Sequence, residues 1–124
     1  MPHRIRVLIA DDHRLFTEAV EAILAAEPRI EVVGLAHTGE EAVERALSLE
    51  PDVILMDIAM PDLDGVEATR RIRRESEQTN ILILTGSNSR DDVARSREAG
   101  AAGYVTKDRI GSQLVETILE LDAA

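Results

Sequence analysis

Val53-Ile54-Leu55-Met56-Asp57 sets four large apolar residues directly before a carboxylate. A short apolar run bounded by turn signals reads as a strand covered on both faces, the kind that parallel sheets contain. Pro51-Asp52 precedes this run, and the loop Met60-Pro61-Asp62-Leu63-Asp64-Gly65 follows it. It is the most apolar run of the chain and is predicted to be central. Three further runs end the same way. Ile5-Arg6-Val7-Leu8-Ile9-Ala10 leads into Asp11-Asp12, Ile81-Leu82-Ile83-Leu84 into Thr85, and Gly103-Tyr104-Val105-Thr106 into Lys107. Ile30 to Leu35 reads as the remaining strand. Open parallel sheets collect their chemistry beyond the carboxyl ends of the strands. Four distant segments would therefore bring three carboxylates, a hydroxyl and an ammonium to one edge. That set suits binding a divalent cation and receiving a phosphoryl group.

Helical patterns separate the strands. Phe16, Ala19, Val20, Ile23 and Leu24 mark a first helix that stops near Glu27-Pro28. Thr38-Gly39-Glu40-Glu41 is a capping box opening a second, with Ala42, Val43, Ala46 and Leu47 as its apolar side. Asp64 with Glu67 can cap a third, and Ser89 with Asp92 a fourth that ends at Gly100. The fourth has only a thin stripe, Val93, Ala94 and Ala99, and is predicted to be the least firmly held. The fifth covers about Ile110 to Leu121, with Leu114, Ile118 and Leu121 facing in. Val115 and Leu119 fall beyond that stripe, either to serve a partner helix or as ordinary surface apolar residues. Right-handed crossovers then give an α/β fold: a (βα)5, doubly wound, parallel five-stranded sheet.

At 124 residues the chain suits one domain with a real core. No apolar run approaches the ~20 residues needed to span a bilayer, and no signal peptide is visible. There are no cysteines, which excludes thiolate metal sites and thiol chemistry and suits a cytoplasmic location. A formal net charge of -10 opposes nucleic-acid binding. The one basic cluster, Arg70-Arg71-Ile72-Arg73-Arg74, reads as a solvated face near a helix C-terminus.

Each candidate also has an ordinary reading. Asp and Glu total 24, so Asp11-Asp12 can be cation ligands or simply cap the first helix. Asp57 can be a strand-end aspartate feeding a turn, or a nucleophile forming an acyl phosphate. Lys107 is the only lysine, and it can be a surface cation or a point-charge phosphate binder. Thr85 can be a β-branched strand residue, or with Gly86 and Ser87 after it can offer a hydroxyl to a phosphoryl oxygen. His13 is read as an exposed first-turn residue, since neither His3 nor His37 is placed to join it on a metal.

Taken together these residues resemble the receiver domain of two-component response regulators. The motifs are Ala10-Asp11-Asp12-His13, Asp57 with Met60-Pro61-Asp62-Leu63-Asp64-Gly65, Leu84-Thr85-Gly86, and Gly100-Ala101-Ala102-Gly103-Tyr104-Val105-Thr106-Lys107. The match covers about residues 4–121, and Asp-Asp-His with Gly-Tyr-Val-Thr-Lys-Asp is most similar to the NarL/LuxR (NarL/FixJ) subfamily. The resemblance implies a flavodoxin-like sheet of strand order 2-1-3-4-5. It implies phosphorylation at Asp57, and Mg²⁺ held by Asp11, Asp12, Asp57 and the backbone carbonyl of Ala59. It implies phosphoryl binding by Lys107 and Thr85, and a switch pair of Thr85 and Tyr104. Asp108 stands where many members have proline, which disfavours the cis peptide common there.

The resemblance further implies a sensor histidine kinase as donor, a homodimer formed on phosphorylation, and no contact of this domain with nucleic acid or membrane. It implies a regulatory domain that catalyses its own phosphorylation and is not a conventional enzyme. Residues 1–121 are then the receiver domain and residues 122–124 the start of a linker, with a LuxR-type helix-turn-helix output beyond it. A single-domain protein or an unphosphorylated pseudo-receiver is the alternative. A haloacid-dehalogenase-type phosphatase fits poorly, because the first loop has no Asp-x-Asp and 124 residues leave no cap domain.

Overall fold

The computed structural model describes residues 3–86 and 89–123, so Ser87 lies outside the described residues. Five strands alternate with five helices. The strands are β1 (Ile5–Ala10), β2 (Ile30–Ala36), β3 (Val53–Asp57), β4 (Asn80–Thr85) and β5 (Gly103–Thr106). The helices are α1 (Arg14–Ala25), α2 (Gly39–Leu49), α3 (Gly65–Glu75), α4 (Arg90–Ala99) and α5 (Ile110–Ala123), the last entered through a 3₁₀ turn at Lys107–Arg109. All pairings are parallel, and the sheet order is β2-β1-β3-β4-β5, so β3 is central as its composition predicts.

Side chains alternate across a strand, and here both faces are buried, which is why the runs are continuously apolar. Ile5, Val7 and Ile9 of β1, Val53 and Leu55 of β3, and Leu82 and Leu84 of β4 pack with Val20 and Leu24 of α1 and Leu114 and Ile118 of α5. Leu8, Ile54, Met56, Ile81 and Ile83 face the other way, onto Ala42 and Ala46 of α2 and Ala68 and Ile72 of α3. No helix among the described residues is long and apolar enough to cross a membrane.

The caps form much as the sequence dictates, with one departure. Thr38 accepts from the Glu41 N–H at 3.1 Å, but the Glu41 carboxylate reaches past Thr38 to the His37 N–H at 2.8 Å. Asp64 accepts from Glu67 N–H, and Ser89 from Asp92 N–H. Gly100 ends α4 at φ 106, a left-handed conformation that glycine enters without steric cost.

Two packing expectations change. In α4 the buried positions are Ser96 and Ala99, while Ala94 is exposed and Val93 half-buried. Ser96 can lie inward because its hydroxyl donates to the Asp92 carbonyl at 2.7 Å. In α5, Val115 and Leu119 are half-buried against the core and not fully outward. Among the described residues, the large apolar side chains left exposed are Leu15 and Leu47. The basic cluster behaves as a solvated face: Arg70 pairs with Glu67, Arg71 with Glu40, and Arg73 binds the Glu77 and Thr79 carbonyls.

Candidate phosphoacceptor and metal site

The strand register assembles the site. Ala10 lies beside Met56 and Asp57 beside Leu84, so Asp11, one residue past the end of β1, arrives next to Asp57. Thr85 lies beside Thr106, which delivers Lys107 one residue later. Asp11 and Asp57 are nearly sealed from solvent, at 2% and 3% exposure, whereas Asp12 stands at the rim. The Lys107 ammonium sits 2.8 Å from Asp11 Oδ2, 3.5 Å from Asp57 Oδ2 and 4.2 Å from the centre of the Phe16 ring. Phe16 thus has a second role beyond its place on the apolar side of α1. Its ring face holds the cation over the acids, a contact that becomes stronger as water is excluded.

One ammonium does not neutralise two buried carboxylates. Burial, and then the Asp11 charge, push the Asp57 carboxyl up to about 6, against the opposing pull of Lys107 and the Ala59 N–H. Asp11 Oδ2 and Asp57 Oδ2 are buried yet receive no aligned hydrogen bond, so the lysine contacts are ion pairs by distance alone. Asp11, Asp12, His13 and Asp57 each offer a ligand atom, all within 4.8 Å of one another. Buried carboxylate oxygens without an aligned hydrogen bond, surplus negative charge and an oxygen-rich set fit a hard divalent cation such as Mg²⁺.

His13 belongs to this cluster, although sequence reasoning set it aside. Its Nδ1 lies 3.1 Å from Asp11 Oδ1, 3.2 Å from Asp12 Oδ1 and 3.8 Å from Asp57 Oδ2. It, and not Asp11 or Asp12, is the N-cap residue of α1, and its side chain makes no capping bond. Asp11 instead accepts the His13 N–H at 2.8 Å, turning the chain from β1 into α1. Only the adjacency of His13 to the acid pair signals this in sequence.

The backbone under Asp57 is fixed by a close approach. The Gly65 N–H donates to the Ile58 carbonyl at 2.8 Å, and a Cβ at Gly65 would fall 2.1 Å from the Asp57 carbonyl oxygen. Only glycine lets the start of α3 press on the end of β3 in this way. Asp62, in the same loop, accepts from the Gly39 and Glu40 N–H groups at 2.8 and 3.1 Å and so caps α2 from outside. Thr85 is buried at the end of β4, and Tyr104, half-buried on β5, hydrogen-bonds to it. Burial, then the charge of Asp92 on α4, raise the Tyr104 hydroxyl against that bond. The peptide between Lys107 and Asp108 is trans.

A family model described as the response regulator receiver domain matches residues 7–119. The chain belongs to that family. The receiver domain is 41% identical over 116 residues to the transcriptional regulatory protein DegU of Brevibacillus brevis, covering 94% of this chain and 49% of DegU. It is 43% identical over 114 residues to the transcriptional regulatory protein LiaR of Bacillus subtilis (strain 168), covering 92% and 54%. It therefore spans about half the length of the curated relatives it matches. The signal receiver domain of the response regulator NarL from Mycobacterium tuberculosis superposes with a TM-score of 0.95 at 32% identity, covering 99% of each chain. A LuxR-family response regulator from Aurantimonas sp. SI85-9A1 gives 0.92 at 33%, covering 97% and 86%. These relatives place the receiver domain in the NarL/LuxR subfamily of two-component response regulators. Such a domain is a regulatory module and not a conventional enzyme, and receiver domains generally work with Mg²⁺ in an acidic pocket and with histidine kinases.

Proposed function

We propose that this receiver domain takes a phosphoryl group onto Asp57, from the phosphohistidine of a sensor histidine kinase or from a small phosphodonor. The observation that carries the reading is a carboxylate sealed at the end of the central strand, facing one ammonium and two further acids, with its backbone held by Gly65. An Asp57 carboxylate oxygen attacks phosphorus in line with the bond to the donor. The new P–O bond forms as the donor bond breaks, and the electron pair leaves with the donor. Lys107 Nζ, near both acids and steadied by Phe16, lies where the transferred oxygens gather charge. Asp11, Asp12, Asp57 and the Ala59 carbonyl would hold Mg²⁺, which when bound offsets the negative charge of the phosphoryl oxygens.

The product adds charge and strong acceptors where Thr85 and Tyr104 already share a hydrogen bond. The Thr85 hydroxyl moves to the phosphoryl group, and Tyr104 follows into the space it leaves. The α4 face, held by little more than Ser96, Ala99 and a half-buried Val93, shifts with them. DegU and LiaR are named transcriptional regulatory proteins and are about twice as long as this chain. On that ground the full protein couples this switch to a LuxR-type DNA-binding output beyond α5, which continues through the expected linker start to Ala123, and does so through dimerisation in the cytoplasm.

Metal titration followed by acetyl phosphate tests the site. The wild type should bind Mg²⁺ and gain one phosphoryl group per chain, and Asp11→Asn/Asp12→Asn should lose both. Continuous turnover of donor with no protein-bound phosphate would contradict the reading.

A further inference from the structure

The carboxylate cage contains a nitrogen. Adjacent ligands of a small octahedral cation, with bonds of about 2.1 Å, lie about 3 Å apart. His13 Nδ1 stands 3.1, 3.2 and 3.8 Å from oxygens of Asp11, Asp12 and Asp57, close to that spacing for a fourth donor at the same position. The ring makes no capping bond to α1, and its Nδ1 instead hydrogen-bonds Asp11 Oδ1 at 3.1 Å. With 64% of the side chain open to water, holding the ring in one pose costs rotamer freedom. The ring leans over the acids all the same. Asp11 Oδ2 and Asp57 Oδ2 are buried and share one ammonium, that of Lys107 at 2.8 and 3.5 Å, so the acids of the cage carry more negative charge than this cation offsets.

We propose that His13 is a nitrogen ligand of this metal position and sets its ion preference, favouring transition ions of the Mn²⁺ class over Mg²⁺. The proposal rests on the reading of Asp11, Asp12 and Asp57 as metal ligands. An all-oxygen set suits Mg²⁺, whose affinity comes from charge. An imidazole adds a softer donor that transition ions reward and Mg²⁺ does not. Ligation through Nδ1 replaces its hydrogen bond to Asp11 Oδ1, with the Nδ1 proton given up and the remaining ring proton on Nε2, and it keeps the backbone in place, because Asp11 already fixes the His13 N–H at 2.8 Å. The other histidine near the site, His37, has its Nδ1 3.2 Å from the Asp11 backbone carbonyl and does not share the cage.

The test uses Mn²⁺ itself on the phosphate-free domain. Pulsed EPR of the Mn²⁺-loaded protein reads coupling to a ligand ¹⁴N, and competition titrations read the Mn²⁺-to-Mg²⁺ affinity ratio. His13→Ser is the variant of choice, because serine is a good N-cap residue and carries no side-chain nitrogen. The wild type should show the nitrogen coupling. His13→Ser should lose it and lower the affinity ratio by roughly tenfold, with circular dichroism unchanged. Mn²⁺ bound through the acids with no nitrogen coupling, or a ratio unchanged in His13→Ser, overturns the role of His13 alone. Mn²⁺ bound equally well by Asp11→Asn/Asp12→Asn overturns the metal-site reading beneath it.

Discussion

Asp57 keeps its proton to higher pH than a solvated aspartate, at about 6 against 3.8, and that difference has a thermodynamic sign. Between those values the metal-free folded state binds more protons than the unfolded chain, so stability falls as pH rises through the window. That difference corresponds to about 3 kcal/mol. Asp57→Asn removes this slope and should stabilise the metal-free domain at pH 7 by roughly that amount, read from denaturant melts at pH 4.5 and pH 7. A variant that is destabilised at neutral pH would mean the carboxylate is a structural anchor. The same charge surplus that raises the Asp57 carboxyl makes a divalent cation welcome there. The functional groups are thus arranged against the stability of the resting domain, as sites often are.

At the scale of elements, the start of α3 is the support on which the acceptor depends. Gly65→Ala would drive a methyl group into the Asp57 carbonyl, so the strand end or the helix must shift. The expected cost is about 1–3 kcal/mol, with phosphorylation slowed in proportion to the displacement. A Gly65→Ala protein with wild-type melting and wild-type phosphorylation would show that the approach is looser than drawn. Much of this level was legible in the chain. Apolar runs sealed on both faces gave the strands, and Thr38, Asp64 and Ser89 gave three helix starts. What was hidden depends on distance in space. Asp62 reaching Gly39, Gly65 pressing on Asp57, and His13 folding back over the acids are contacts that local pattern does not encode. Helix amphipathicity likewise cannot show that Ser96 goes in and Ala94 stays out, because the deciding hydrogen bond is made only once the helix exists.

At the scale of the molecule, the fold divides labour between its two faces. The α1 and α5 side carries Phe16 and packs Leu114 and Ile118 under the sheet, while Tyr104 packs on the side of α2 and α3. On the proposed reading, phosphorylation at the strand ends is felt on the Tyr104 side through Thr85. Thr85→Ala should leave phosphorylation of Asp57 largely intact and uncouple it from any dimerisation. Sedimentation of the wild type and the variant, each with and without beryllofluoride, checks this, and equal dimerisation of both would deny Thr85 its role. All of it rests on Asp57 being the acceptor. The most direct measurement is to phosphorylate the domain with acetyl phosphate and Mg²⁺, reduce the product with borohydride, and map the peptides by mass spectrometry. An acyl phosphate on aspartate is reduced to homoserine, so the account predicts homoserine at position 57 and nowhere else, and none in Asp57→Asn. Homoserine at another aspartate in the wild type, with Asp57 unmodified, would contradict it.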